Sequence, residues 1–98
     1  MSARWTFSAK LWRSGGAGWF FLTLPEAQTM PIKTRALGRM NSFGSLRISA
    51  IIGATKWSTS IFFDTKAGAF LLPVKTDIRR KAGIGPGDTV TCSIEFEG

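Results

Sequence analysis

Ala67 to Phe96 reads AGAFLLPVKTDIRRKAGIGPGDTVTCSIEF, and the order of residue types within it decides the fold. Ala69 to Leu72 is a short apolar strand. Pro73-Val74-Lys75-Thr76 opens a helix, for which Thr76 is the expected N-cap. Asp77 puts negative charge in the first turn and Arg79, Arg80 and Lys81 put positive charge near the last, both matched to the helix dipole. Gly83 fits the position where a helix ends in left-handed backbone, and Ile84 just beyond it supplies the hydrophobic closing contact. Gly85-Pro86-Gly87-Asp88 is a turn. Val90, Cys92, Ile94 and Phe96 then alternate with Thr89, Thr91, Ser93 and Glu95, the period of a half-buried strand.

The preceding chain has the same texture. Trp5, Phe7, Ala9 and Leu11 alternate with Thr6, Ser8 and Lys10, and Trp12 breaks the alternation by falling on the polar side. Arg13-Ser14-Gly15-Gly16-Ala17-Gly18 reads as a hairpin loop. Its glycines do not make a phosphate cradle, because no Gly-Lys-Ser/Thr follows and the next segment is a strand. Trp19 to Leu24 is apolar apart from Thr23 and predicts a strand covered on both faces. After Pro25, Glu26 to Leu37 predicts one irregular helical connection interrupted by Pro31, with Lys33, Arg35 and Arg39 on a solvated face. Asn41 to Gly44 is turn-rich. Leu46 to Ile52 and Lys56 to Phe63 form a second hairpin about Gly53-Ala54-Thr55, with Ser58, Ser60 and Phe62 on one side and Trp57, Thr59, Ile61 and Phe63 on the other.

The 98 residues, 44% of them hydrophobic, predict a single barrel domain over residues 1–98 with one core. No apolar run approaches the ~20 residues of a membrane helix. The N-terminal segment alternates at once and lacks the apolar stretch of a signal peptide, so a cytoplasmic protein with no membrane partner is expected. The single cysteine, Cys92, alternates with core positions and reads as a small buried hydrophobe. Thirteen Lys and Arg against six Asp and Glu give a formal charge of +7, which favours nucleic acid or another polyanion as partner.

Ala17 to Ala27 laid over Ala67 to Asp77 matches Ala17 with Ala67, Gly18 with Gly68, Phe20 with Phe70 and Leu22 with Leu72, and each copy then reaches a proline and a helix. Two β-β-helix-like halves, each too small to bury its own apolar face, are therefore expected to close one barrel. Gly68-Ala69-Phe70-Leu71-Leu72-Pro73, Asp77 to Ile84 and Gly87-Asp88 resemble the swapped-hairpin motif of AbrB and MazE-type transcription factors. Over Phe7 to Leu11, Gly18 to Pro25, Gly53 with Trp57 to Ser60, and Leu71 to Asp88, the chain looks more like a small bacterial family of unknown function often found beside YdeI/OmpD-associated bacteriocin-protection domains. The resemblance implies a mainly β, single-chain double-split β-barrel of about six strands, with short helices capping its ends.

Three functional classes can be weighed. The AbrB resemblance implies DNA binding through Arg79 and Arg80, with Lys81 beside them. Against it, Ala69 stands where the DNA-binding family commonly has arginine, and the first half has no Arg-Arg pair at Ala27 to Thr29. A ligand or protein-interaction module would use Trp12, Arg13 and Trp57, with Trp19 near them, where rings beside loops can stack on a flat ligand and a cation can pair with its anionic group. The competing reading of Trp5, Trp19 and Trp57 is core packing, with Trp12 open to either role. An enzyme is the least supported class. There is no His or Tyr, Asp64, Asp77, Asp88, Glu95 and Glu97 sit where capping and solvation explain them, and Cys92 has no partner at metal-ligand spacing. No catalytic residue, metal or cofactor is expected, and the chain is a monomer or a homodimer.

Overall fold

The computed structural model describes residues 3–16, 18–38 and 44–97, and in them the alternating segments become seven strands of one antiparallel sheet. They are β1 (Arg4–Lys10), β2 (Trp12–Arg13), β3 (Phe20–Thr23), β4 (Ser45–Ile52), β5 (Thr55–Asp64), β6 (Ala69–Pro73) and β7 (Thr89–Phe96). Their order across the sheet is β1-β7-β4-β5-β6-β3-β2. Two short helices complete the fold, α1 (Thr29–Arg35), entered through a 3-10 turn at Glu26–Gln28, and α2 (Thr76–Ala82). Arg39, the Ala17 match of the internal echo and Asn41 to Phe43 of the expected turn lie outside the described residues.

The fold is mainly β, as the patterning predicts, and the sheet curls into a half-barrel. The strand beyond the expected six arises at Leu11, which leaves the ladder with β7. Its N–H donates to Asp88 O (2.9 Å) and its carbonyl accepts from Gly87 N (2.8 Å). Tied to that turn and buried, Leu11 redirects the chain so that β1 pairs with β7 and β2 with β3. Both edges of the sheet therefore come from the opening segment. The inner face gathers Phe7, Leu22, Ile48, Ile61, Phe70, Leu72, Cys92 and Ile94, with Ile32 of α1 and Ile78 of α2 in the same cluster.

The internal echo is a structural two-fold. Leu22 pairs with Leu72 across β3 and β6, so the matched leucines are also register partners. Either side of them, Leu24 N donates to Phe70 O and Val74 N to Phe20 O, both at 2.9 Å. These two bonds exchange when the copies are exchanged. On the same inner face, Trp57, Ala50, Ile94 and Trp5 form one row across β5, β4, β7 and β1, centred on the Ala50–Ile94 pair. Trp5 and Trp57 thus occupy matching places, half-buried against the core.

The helix boundaries shift for identifiable reasons. Val74 is still bonded to β3, so the chain leaves the sheet only at Lys75, whose carbonyl accepts from Arg79 N (3.0 Å). Lys75 is therefore the N-cap, with extended backbone, and Thr76 is the first helical residue rather than the expected cap. At the other end Gly83 adopts φ 68°, and Ile84 N returns to Arg79 O (3.1 Å), as expected. Pro31 lies in the first turn of α1 instead of breaking it, where its missing donor would have had no helical partner.

Candidate functional site

One end of the two-fold is open. Between Gly18-Trp19-Phe20, where the chain enters β3, and Pro73 to Arg80, where it leaves β6 for α2, lies a groove of about 560 Å³. That volume falls in the range of roughly 300–1,000 Å³ usual for ligand sites. Phe20 is half-buried in its floor. The Arg79 guanidinium lies over the Phe20 ring, 3.7 Å from its centroid. Arg79 Nη1 donates to Val74 O (2.6 Å) and Nη2 to Thr76 Oγ1 (3.1 Å), so this arginine is fixed in place and supplies charge from a set position. Lys75 and Arg80 line the groove with exposed side chains, and Asp77 is the acid beside them. Trp19, 54% exposed, forms one wall.

The groove continues onto the outer face of the sheet through Trp19 and Pro73, which also border a shallow apolar depression of about 400 Å³ with Ser14, Phe21, Phe62 and Leu71. Trp12 tilts against Phe21 (5.1 Å between centroids), and Trp19 lies nearly parallel to Phe21 (6.4 Å, 11°). Trp12 Nε1 donates to Thr23 Oγ1 at 2.8 Å, which fixes the indole edge. Phe62 is 44% exposed on β5, and Phe62 and Leu71 are register partners.

The rest of the outer face has opposite chemistry. Thr6 bonds to Ser93 and Ser8 to Thr91, each at 2.8 Å, and Arg4 pairs with Glu95 at 2.9 Å. Arg47 Nη2 donates to Ser58 Oγ (2.7 Å), and both Ser58 and Ser49 donate to Glu97. The Ser58 hydroxyl first, with help from Ser49 and Arg47, holds the Glu97 carboxyl below its ordinary value of 4.5. Cys92 is fully buried, and burial pushes its thiol from 9.0 up to about 12. It is a neutral core side chain.

The residues singled out from sequence separate into distinct places. Trp12 and Arg13 form β2 at the sheet edge, and an Arg13 guanidinium nitrogen lies 3.7 Å from where a Cβ on Gly18 would stand. Trp57 does not join them, because it faces the inner side opposite Ala50. Of the basic triplet, Arg80 lines the groove, Arg79 is braced over Phe20, and Lys81 is exposed on α2. Lys33, expected on a solvated face, lies 3.7 Å from the Phe63 ring centroid. Trp19 corrects its expected core placement. Its indole stands outside because strand alternation puts Trp19 on the side of Phe21, opposite the core side of Leu22. Half-buried Phe21 and exposed Phe62 were missed as aromatics of the outer face, although Phe62 shares the Ser58 and Ser60 side of its strand.

The geometry defines a small mainly β domain with one open, basic, aromatic end. Over residues 7–94 the chain matches the model of a domain of unknown function, DUF1905, and it belongs to that family. No curated protein matches it. Among the described residues no helix is long and apolar enough to cross a membrane.

Proposed function

We propose that this domain is a non-catalytic, cytoplasmic binding module of AbrB-like barrel architecture that holds an anionic ligand in the groove between Gly18-Trp19-Phe20 and Lys75-Arg80. The observation that carries the reading is the placement of Lys75, Arg79 and Arg80 around one groove walled by Trp19. An anion there meets two exposed cations and a third fixed by its own hydrogen bonds, while a flat group attached to it can lie on the indole. The AbrB-like architecture is supported by the two-fold through Leu22 and Leu72, which joins within one chain the two halves that the AbrB type takes from two. The likeness to domains found beside YdeI/OmpD-associated proteins extends the proposal to a role next to such a partner.

Reading duplex DNA through Arg79, Arg80 and Lys81 is the weaker alternative. Arg79 is spent on Val74, Thr76 and Phe20, and duplex recognition by helices needs several side chains free to reach base edges.

The test is a titration with inorganic tripolyphosphate, followed through the backbone amide resonances. Shifts are expected at Gly18 to Phe20 and Lys75 to Arg80, weakening as salt is raised, and Arg80→Ala should reduce affinity several-fold with the fold intact. If those amides do not move at about 50 mM salt, where weak electrostatic binding is visible, the reading is wrong.

A further inference from the structure

We infer that the ligand of this module is single-stranded nucleic acid, with its phosphates along Arg13, Lys75 and Arg80 and its bases stacked on the aromatic outer face of β2, β3, β6 and β5. This rests on the anion-binding reading of the groove and extends it across the sheet.

Three observations point the same way. First, groove and aromatic face are one surface, because Trp19 and Pro73 border both. Second, the face presents π-systems: Trp12 is 37%, Trp19 54% and Phe62 44% exposed, with Phe21 between the two tryptophans. Trp12 is anchored to Thr23 and Phe21, so its ring is ordered before any ligand arrives. Aromatic residues on the outer face of a strand are usually a liability, and here the outer face of β1, β7 and β4 carries hydroxyl pairs and ion pairs instead. Third, cations border the rings. Arg13 flanks Trp12 on β2, and Lys75 and Arg80 lie beyond Trp19. Of the six acids, Asp64, Asp88, Glu95 and Glu97 are engaged elsewhere, with Lys66 N, Gly85 N, Arg4 and the Ser49–Ser58–Arg47 cluster.

Size agrees with this occupant. Four neighbouring strands span about 15 Å at ~4.8 Å per strand, and four-stranded faces bearing aromatics stack two or three bases. A duplex hides its base faces inside the stack, so it can use the cations but not the rings. Stacking is tolerant of sequence, since every base has a π-face.

The experiment compares a ten-residue oligothymidylate, polyphosphate of the same charge number and a ten-base-pair duplex, with tryptophan fluorescence as the signal. The oligothymidylate should quench fluorescence and bind at least about tenfold more tightly than polyphosphate, as stacking of one or two bases requires. Its log Kd should rise by about 2 per log unit of salt, 0.7 for each of three phosphates neutralised. Phe62→Ser keeps every tryptophan and should lower oligothymidylate affinity about fivefold or more while leaving polyphosphate affinity unchanged; Trp12→Ala should do the same. Equal binding of oligothymidylate and polyphosphate, indifferent to both substitutions, would remove the stacking face and leave the anion groove standing. Duplex bound as tightly as the single strand would also overturn the proposal. If none of the three binds, both readings fall together. Concentration-dependent dimerisation abolished by Phe62→Ser, with oligothymidylate affinity unaltered, would make the face a contact between copies instead.

Discussion

The two ends related by the pseudo-two-fold share a backbone and differ in almost every side chain that covers it. Gly18 and Gly68 are both left-handed, with φ of 73° and 65°, and both lead through one residue to a phenylalanine. At the second copy's start that residue is Ala69, 1% exposed, and Phe70 is fully buried with the edge of Phe63 against it at 5.5 Å. Thr29 of α1 donates to Gly68 O (3.0 Å) and seals the end. At the first copy's start the corresponding residue is Trp19, standing outside, and Phe20 is covered by the Arg79 guanidinium instead of a ring. A paired framework of hydrogen bonds sets where the chain runs, and the side chains laid on it determine whether an end is a plug or a groove.

Matched substitutions at the two ends should have unequal effects. Phe70→Ala should lower stability by about 3–5 kcal/mol, the usual effect of deleting a buried ring, whereas Phe20→Ala should lower it by only about 1–2 kcal/mol because its ring is part-exposed. Urea midpoints read both, and equal losses would mean that the open end is as tightly packed as the closed one. Exchanging the neighbouring residues should give the next largest contrast. Ala69→Trp forces a ring into a filled site and should cost about 1–3 kcal/mol, while Trp19→Ala should stay within about 0.5 kcal/mol and weaken ligand binding at the groove.

Gly83→Val tests whether the end of α2 holds the cations of the groove in place. A β-branched residue at φ 68° should cost about 1–2 kcal/mol and, by loosening α2, broaden the Arg79 and Arg80 resonances. The smallest effects come from titration away from both ends. The folded pKa of Glu97 is depressed, so its stabilisation is present above about 4.5 and is lost as pH falls through the lower folded value. Glu97→Gln should flatten that part of the acid melting curve. Cys92 has the opposite sign. Its thiol is raised to about 12, so stability declines as pH rises from 9.0 toward that value, and iodoacetamide at pH 8 should label it only after denaturant is added.

Local pattern made much of the architecture legible. Strict alternation marked β1, β4, β5 and β7, and Gly83 marked the end of α2, because burial on one face and left-handed backbone each leave a residue-by-residue signature. The two aromatics that fell on polar sides of their strands, Trp12 and Phe62, are both exposed, so part of the candidate site was visible as a break in alternation. Trp19 was not. In an apolar run it looked like core, and only the sheet shows that the side it shares with Phe21 is left uncovered. Trp57 was open to both readings, since a ring near a loop reads the same whether it points in or out, and the sheet packs it half-buried against the core.

The mainly β class, the duplication and the basic charge follow from periodicity, repetition and composition along the chain. It takes the folded sheet to bring Leu22 to Leu72, to hold Arg79 over Phe20 while Arg80 lines the groove, and to gather Trp12, Trp19, Phe21 and Phe62 on one surface. Those relations join strands far apart in the chain, and which residues become neighbours depends on sheet order and register, neither of which is written in any single segment.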